Sequence, residues 1–274
     1  MKVALAQTTT GIDPAVNGAA LADAVAEASA KGAAMLFTPE MSGLLDRDRA
    51  RAATVLREES DDPVLAAVRT AAARHRIWVH LGSLAVRTAD GRLANRGFVI
   101  DDAGVIRARY DKLHLFDVDL PGGESWRESS AYAPGVSASV IDTPVGRLGL
   151  SICYDLRFPA LYAALSATGA TVLAIPAAFT QPTGAAHWHV LMRARAIESA
   201  AFVIAAAQTG LHEDGRATYG HSLVVDPWGE VLLDMGTALG IGYAEIDPAR
   251  IAEVRSRIPV IAHRRAIPDV GVAP

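Results

Sequence analysis

"GLSICYDLRFP", Gly149 to Pro159, carries the single cysteine of the chain, Cys153. An apolar run through Leu148, Leu150 and Ile152 leads into it, and a tyrosine, an aspartate, an arginine and a proline follow at once. The stretch reads as a strand, Arg147 to Ile152, that turns directly into a helix, Phe158 to Ala167. Working outward, Thr171 to Ile175 reads as a strand, Ala185 to Ser199 as a helix and Ala201 to Ala207 as a strand. Ser222 to Asp226 and Val231 to Asp234 are strands around a Pro227-Trp228-Gly229 turn. Ile241 to Ile246 is the last strand and Pro248 to Arg257 the last helix. Upstream, Val3 to Gln7 and Ala33 to Phe37 are strands on either side of an alanine-rich helix, Ala15 to Lys31. Asp61, Asp62 and Pro63 mark the start of a helix that runs to about His75. Ile77 to Ser83, Gly97 to Asp101 and Val105 to Tyr110 are strands, the last two joined by a hairpin turn. Strands alternate with helices in both halves, without a repeat period or a composition break. The pattern predicts one α/β domain over residues 1–274, with mixed sheets covered by helices.

Of the 274 residues, 51% are hydrophobic and 20% charged, which suffices for a large core, and the net charge is −4. That balance excludes a protein built to coat nucleic acid, because no basic excess exists to neutralise phosphates. No apolar run is long enough to span a membrane. The opening MKVALAQTTT is too short an apolar stretch for a signal peptide. One cysteine forms no internal disulfide. A cytoplasmic protein is expected.

Three residues share one context. Glu40, Lys112 and Cys153 each follow a strand, and strand ends in α/β folds gather reactive groups. The carboxylate of Glu40 can take the thiol proton. The ammonium of Lys112 and the backbone N–H of Tyr154 can hold an oxyanion. From the residues alone, Cys153 also fits a small buried hydrophobe and Lys112 a solvated cation.

The words FTPEMSG (Phe37 to Gly43), YDKLHLFDVDLPGGESWRES (Tyr110 to Ser129) and SICYDLRFP (Ser151 to Pro159) occur in this order. They resemble the motifs of the carbon–nitrogen hydrolase family, the nitrilase superfamily. VALAQ near the start, PAAFTQPTGAAHWHVLMRARAIES in the middle and YGHSLVVDPWGEV later extend the resemblance over nearly the whole chain. It implies a four-layer α-β-β-α sandwich of two mixed β-sheets covered by helices. It implies Glu40 as general base and acid, Lys112 as oxyanion stabiliser and Cys153 as nucleophile. Glu128, in "WRES", falls where amidase branches carry a second glutamate that positions the lysine, with Glu124 as the competing candidate. The implied reaction is amide hydrolysis through a thioester, with no metal or organic cofactor. Family members pair helix faces into dimers. Here those faces would be the helix after Cys153 and the helix Ala185 to Ser199, with the tail from about residue 258 to 274 in the interface.

The segments KLHLFDVDLPGG, AAAQTGLHEDGR and RATYGHSLVVDPWGE most resemble the deaminated glutathione amidase branch. The implied substrate is N-(4-oxoglutaryl)-cysteinylglycine, cleaved to 2-oxoglutarate and cysteinylglycine. The neighbouring ω-amidase branch, acting on 2-oxoglutaramate, is the alternative. A non-catalytic binding protein on the same fold is the alternative of another class, disfavoured because all three reactive residues are present. A substrate with two carboxylates calls for cations in the pocket. Arg157, beside the nucleophile, is the first candidate; Arg195 and Arg193 follow. Tyr154, Phe179, His187 and Trp188 are candidate lining residues. His187 and His189 are two apart and leave a helix on different faces, which argues against a metal pair. No HExxH, CxxC, G-x-S-x-G, P-loop or G-x-G-x-x-G occurs.

Overall fold

Residues 2–7 form a strand whose side chains divide by parity. Val3 and Leu5 join one apolar cluster while Ala4 and Ala6 join another, because successive residues leave opposite faces of a strand. The computed structural model, which describes residues 1–119, 123 and 125–272, builds two sheets on that division. In chain order its elements begin with β1 (Lys2–Gln7), α1 (Pro14–Ala30), β2 (Met35–Phe37), α2 (Arg49–Val55), α3 (Pro63–His75), β3 (Trp78–Arg87), β4 (Leu93–Ile100) and β5 (Ile106–Asp111). A short ribbon of β6 (Asp117–Asp119) and β7 (Ser125–Arg127) comes next. Then follow β8 (Val140–Thr143), β9 (Gly146–Leu150), α4 (Pro159–Ala167), β10 (Val172–Ala174), α5 (Gln181–Ser199) and β11 (Phe202–Ala205). The chain closes with β12 (Thr209–Leu211), β13 (Ala217–Tyr219), β14 (Leu223–Val225), β15 (Val231–Asp234), β16 (Gly240–Glu245) and α6 (Pro248–Arg257).

The first six-stranded sheet has the order β16-β1-β2-β3-β4-β5 and the second the order β15-β14-β11-β10-β9-β8. In each, three neighbouring strands are parallel (β1, β2, β3 and β9, β10, β11) and the flanking strands are antiparallel. The two sheets thus share one topology although the sequence shows no repeat. Both are mixed, as expected. Their inner faces meet. Val3, Leu5, Phe37 and Val99 of the first sheet share a cluster with Leu148, Leu150, Val172 and Phe202 of the second. Leu21, Val25, Val64 and Val68 of α1 and α3 cover the outer face of the first sheet. Leu161, Leu165 and Met192 of α4 and α5 cover the second. The layers therefore run helix, sheet, sheet, helix. No helix among the described residues is long and apolar enough to cross a membrane.

Helix starts follow local chemistry. Asp13 accepts the Ala15 N–H and Asp62 the Leu65 N–H, each just ahead of a proline in the first turn. Several elements depart from expectation. β3 runs on to Arg87 and β4 begins at Leu93, so these strands form one long hairpin with a bulge between Leu81 and Leu84. At that bulge Gly82 faces the Thr38–Pro39 backbone so closely that a Cβ would lie 2.1 Å from the Thr38 carbonyl oxygen. Only glycine leaves room there for the chain to turn out of β2 toward Glu40. The helix α2, the β6–β7 ribbon, β8, β12 and β13 add to the elements that the sequence pattern predicts.

Candidate active site

Glu40 leaves the end of β2, Lys112 follows β5, and Cys153 follows β9. The first two strands belong to one sheet and the third to the other. All three side chains are buried. Lys112 Nζ donates to Glu40 Oε1 at 2.8 Å and to Glu128 Oε2 at 2.9 Å. Glu128 opens a short 3₁₀ turn after β7 and also accepts the Phe116 N–H at 2.7 Å. Glu40 Oε2 accepts the Ala178 N–H at 2.9 Å, and its backbone carbonyl accepts Gln208 Nε2 at 3.0 Å. The carboxylate is thereby anchored to both halves of the sandwich.

Asn95, buried in β4, joins the two carboxylates. Its Nδ2 donates to Glu40 Oε1 at 2.9 Å and to Glu128 Oε1 at 3.0 Å. Two anions facing one amide group fix its orientation, since only the nitrogen can donate. Its backbone carbonyl accepts the Lys112 N–H at 3.0 Å, which fixes the lysine as well.

Cys153 sits in the left-handed region at φ 49°, a strained conformation for a residue with a side chain. Its N–H donates to the Pro176 carbonyl at 2.9 Å. Asp155, two residues on, holds the turn. It accepts from the Ile152 N–H at 2.9 Å, the Tyr110 hydroxyl at 2.7 Å and the His114 N–H at 3.0 Å. The next N–H after the cysteine, that of Tyr154, donates to nothing among the described residues. The expected oxyanion donor is therefore unspent.

Burial and the Glu40 carboxylate push the Cys153 thiol well up, against the pull of Lys112. Burial would raise Glu40 too, but the Lys112 ammonium, with hydrogen bonds from Cys153, Lys112 and the Ala178 N–H, holds it below its ordinary value. Burial disfavours the Lys112 cation, yet Glu128 and Glu40 outweigh it and drive the pKa well above the usual range. At neutral pH the group therefore rests as thiol, carboxylate and ammonium.

The group lies on a cavity of about 630 Å³. Tyr154 and Phe179 line it, as expected. Arg157, His187 and Arg195 are not on its wall. The Arg157 guanidinium lies over the rings of Phe179 and Tyr154, at 5.3 and 5.9 Å, with Nη1 3.3 Å from His187 Nδ1. Arg195 is buried behind the nucleophile turn, donating to the Leu156 carbonyl and pairing with Glu198. Arg193 donates to the Gly229 carbonyl. Trp188 packs against Phe179 and donates to the His221 carbonyl. Glu124 lies outside the described residues.

The cations on the wall are different ones: Arg47, Arg49, Arg87, Arg127 and Arg216, in addition to Lys112. Arg127 is paired with Asp119, and Arg87 is spent on backbone carbonyls. Arg216 pairs with Asp214 through Nε, which leaves its two terminal nitrogens free among the described residues. The Arg47 side chain has no polar partner among the described residues. Both guanidiniums lie over the ring of Trp126, at 5.8 Å for Arg47 and 5.0 Å for Arg216. Nothing in the linear sequence joins Arg47, Trp126 and Arg216. Asn95 lies outside the strand expected over Gly97 to Asp101, beside the charged Arg96, so no apolar pattern marked it.

The sequence profile of the family described as "Carbon-nitrogen hydrolase" matches residues 2–256. The chain is 38% identical to the deaminated glutathione amidase of Yersinia enterocolitica over 268 residues, 97% of this chain and 93% of that protein. Its fold is similar to the crystal structure of the Caenorhabditis elegans NitFhit protein, with a TM-score of 0.89 and 40% identity. That match covers 96% of this chain and 65% of the other. It is also similar to an amidase from Nesterenkonia in which acrylamide has added to the active site cysteine. There the TM-score is 0.78 and the identity 26%, over 94% of this chain and 98% of that one.

Proposed function

The chain belongs to the carbon–nitrogen hydrolase family, and we propose that it is a cysteine-dependent amidase that cleaves deaminated glutathione to 2-oxoglutarate and cysteinylglycine. The observation that carries this reading is the convergence of Lys112, Glu40 and Cys153 at one cavity whose wall also carries the guanidiniums of Arg47 and Arg216. Cys153 Sγ attacks the amide carbonyl and its proton passes to Glu40. At rest that transfer runs uphill, from a raised thiol to a depressed carboxylate. It becomes favourable only as the carbonyl carbon takes the electron pair, so the thiol is activated by the substrate. Lys112 and the Tyr154 N–H hold the oxyanion. The C–N bond then breaks and Glu40 gives its proton to the leaving amine. Water adds to the thioester, Glu40 takes its proton, and expulsion of the thiolate returns that proton to sulfur.

Glu128 and Asn95 keep the ammonium aimed between these steps. Arg216 and Arg47 are the proposed partners of substrate carboxylates, and Tyr154 and Phe179 its apolar walls. A cavity of about 630 Å³ has room for a cysteinylglycine leaving group as well as an oxoglutaryl chain, which favours deaminated glutathione over the smaller 2-oxoglutaramate. We place the protein in a homodimer through the outer faces of α4 and α5. Exposed Val190 and Ile197 support this. So does the tail, where Arg264 donates to the carbonyls of Ala163 on α4 and Glu198 on α5. The test is hydrolysis of deaminated glutathione and 2-oxoglutaramate side by side, by wild type and Cys153→Ala. Strong preference for the first and a dead variant are expected. Preference for the second overturns the substrate, and activity in the variant overturns the mechanism.

A further inference from the structure

His189, His221 and Asp234 stand apart from the catalytic group and share no residue with it. His189 is on α5, His221 in the turn between β13 and β14, and Asp234 at the end of β15. His189 Nε2 lies 3.0 Å from Asp234 Oδ2, and His221 Nδ1 lies 2.9 Å from Asp234 Oδ1. The ligand atoms of all three residues fall within 4.8 Å of one another, the one such trio among the described residues. We propose that these residues bind one divalent transition-metal ion of zinc type, tying α5 to the β14–β15 hairpin.

The geometry is close to what a zinc ion asks for. Bonds of about 2.0–2.1 Å in a tetrahedron put ligand atoms about 3.3 Å apart. The two histidine–aspartate contacts, at 3.0 and 2.9 Å, need to open by only a few tenths of an ångström, and the two imidazole nitrogens, within 4.8 Å of each other, close on the ion. Two imidazoles and a carboxylate suit zinc, cobalt, nickel or copper, whereas calcium and magnesium prefer oxygen alone. The ligands are held in advance. The His221 N–H donates to the Gly236 carbonyl at 2.6 Å, and the His221 carbonyl accepts Trp188 Nε1 at 2.8 Å. The His221 ring stacks on Tyr219 at 4.4 Å and meets His189 edge-on at 5.1 Å. Asp234 Oδ1 also accepts the Gly236 N–H. The remaining nitrogens, His189 Nδ1 and His221 Nε2, make no hydrogen bond among the described residues. Each imidazole can therefore shift its proton to the free nitrogen as the metal takes the other. The three side chains are 24–34% exposed, so an ion can enter and a fourth position stays open to water.

The site also abuts the cavity. Thr183 of α5 and Ala217 and Thr218 of β13 line it, and Tyr219 links that wall to His221. An ion at the trio would brace the wall on which Arg216 also lies.

The test uses tag-free protein carrying Cys153→Ala, so that the thiol cannot compete. Zinc chloride is titrated by calorimetry, cobalt(II) by absorption, and melting temperature is followed. One zinc per chain, a raised melting temperature and the ligand-field bands of a four- or five-coordinate cobalt(II) are expected. His189→Gln and Asp234→Asn should each weaken binding about tenfold or more. Should Asp234→Asn fail to fold, His189→Gln, on the helix surface, decides alone. No binding at submillimolar zinc, or equal affinity in His189→Gln, would overturn the proposal.

Discussion

Lys112 Nζ donates to Glu40 Oε1 at 2.8 Å, and both side chains are buried. The same ammonium also faces Glu128, so one cation serves two carboxylates. Lys112→Met removes it and leaves two anions bridged by Asn95 alone. An unpaired buried charge costs about 3–5 kcal/mol. The single variant should lose stability on that scale. Lys112→Met/Glu128→Gln should recover part of it, because one of the two anions is gone. Denaturant unfolding of both proteins measures the difference. A double variant less stable than the single one would mean that the two carboxylates do not oppose each other.

Arg216 keeps two guanidinium nitrogens free of partners among the described residues, and Arg47 shares the Trp126 ring with it. Arg216→Ala should raise KM for deaminated glutathione about tenfold or more, as loss of a charge-assisted hydrogen bond does. An amide of the same length with no distal carboxylate should be unaffected. Steady-state kinetics on both substrates separates the cases. Equal losses on both would show that Arg216 shapes the wall and does not read the anion.

His80 lies in β3 on the inner face of its sheet, 5.6 Å from the Phe37 ring, and burial pushes its pKa down to about 3. Its ordinary value is 6.5, so on acidification the unfolded chain takes up this proton first. Stability supplied by neutral His80 is complete above 6.5 and falls as the pH drops from there toward 3. Between pH 7 and pH 5 that loss is about 2 kcal/mol. His80→Gln should show a loss smaller by this amount in denaturant unfolding at the two pH values. An unchanged pH dependence would place the acid sensitivity elsewhere.

Periodicity makes the main strands and helices legible, and Asp62 marks the start of α3, where it accepts the Leu65 N–H. The short elements were not legible. The β6–β7 ribbon is three residues a side, only Val118 and Trp126 of it apolar, and it is too short to carry a period. The helix α2 has an Asp48 cap but buries only Ala52, so no apolar stripe announced it. The three reactive residues each follow their own strand, which raises a nucleophile site but leaves Cys153 equally a buried hydrophobe; their roles come from the resemblance of the ordered motifs. The cations on the cavity wall were not legible. Arg157 is only four residues from Cys153, yet its guanidinium lies over the Phe179 ring and not on the cavity wall. Arg216 reaches the cavity from a distant hairpin. Spacing compares His189 only with its helix neighbour His187, whereas the imidazole that meets it, that of His221, comes from another element.

The most direct measurement is the intact mass of the protein quenched in acid during turnover of deaminated glutathione. A population heavier by one 2-oxoglutaryl group, mapped by peptide digestion to Cys153 and decaying as substrate runs out, is the expected result. Turnover at full rate with no adduct at any quench time, together with activity in Cys153→Ala, would contradict a thioester on Cys153.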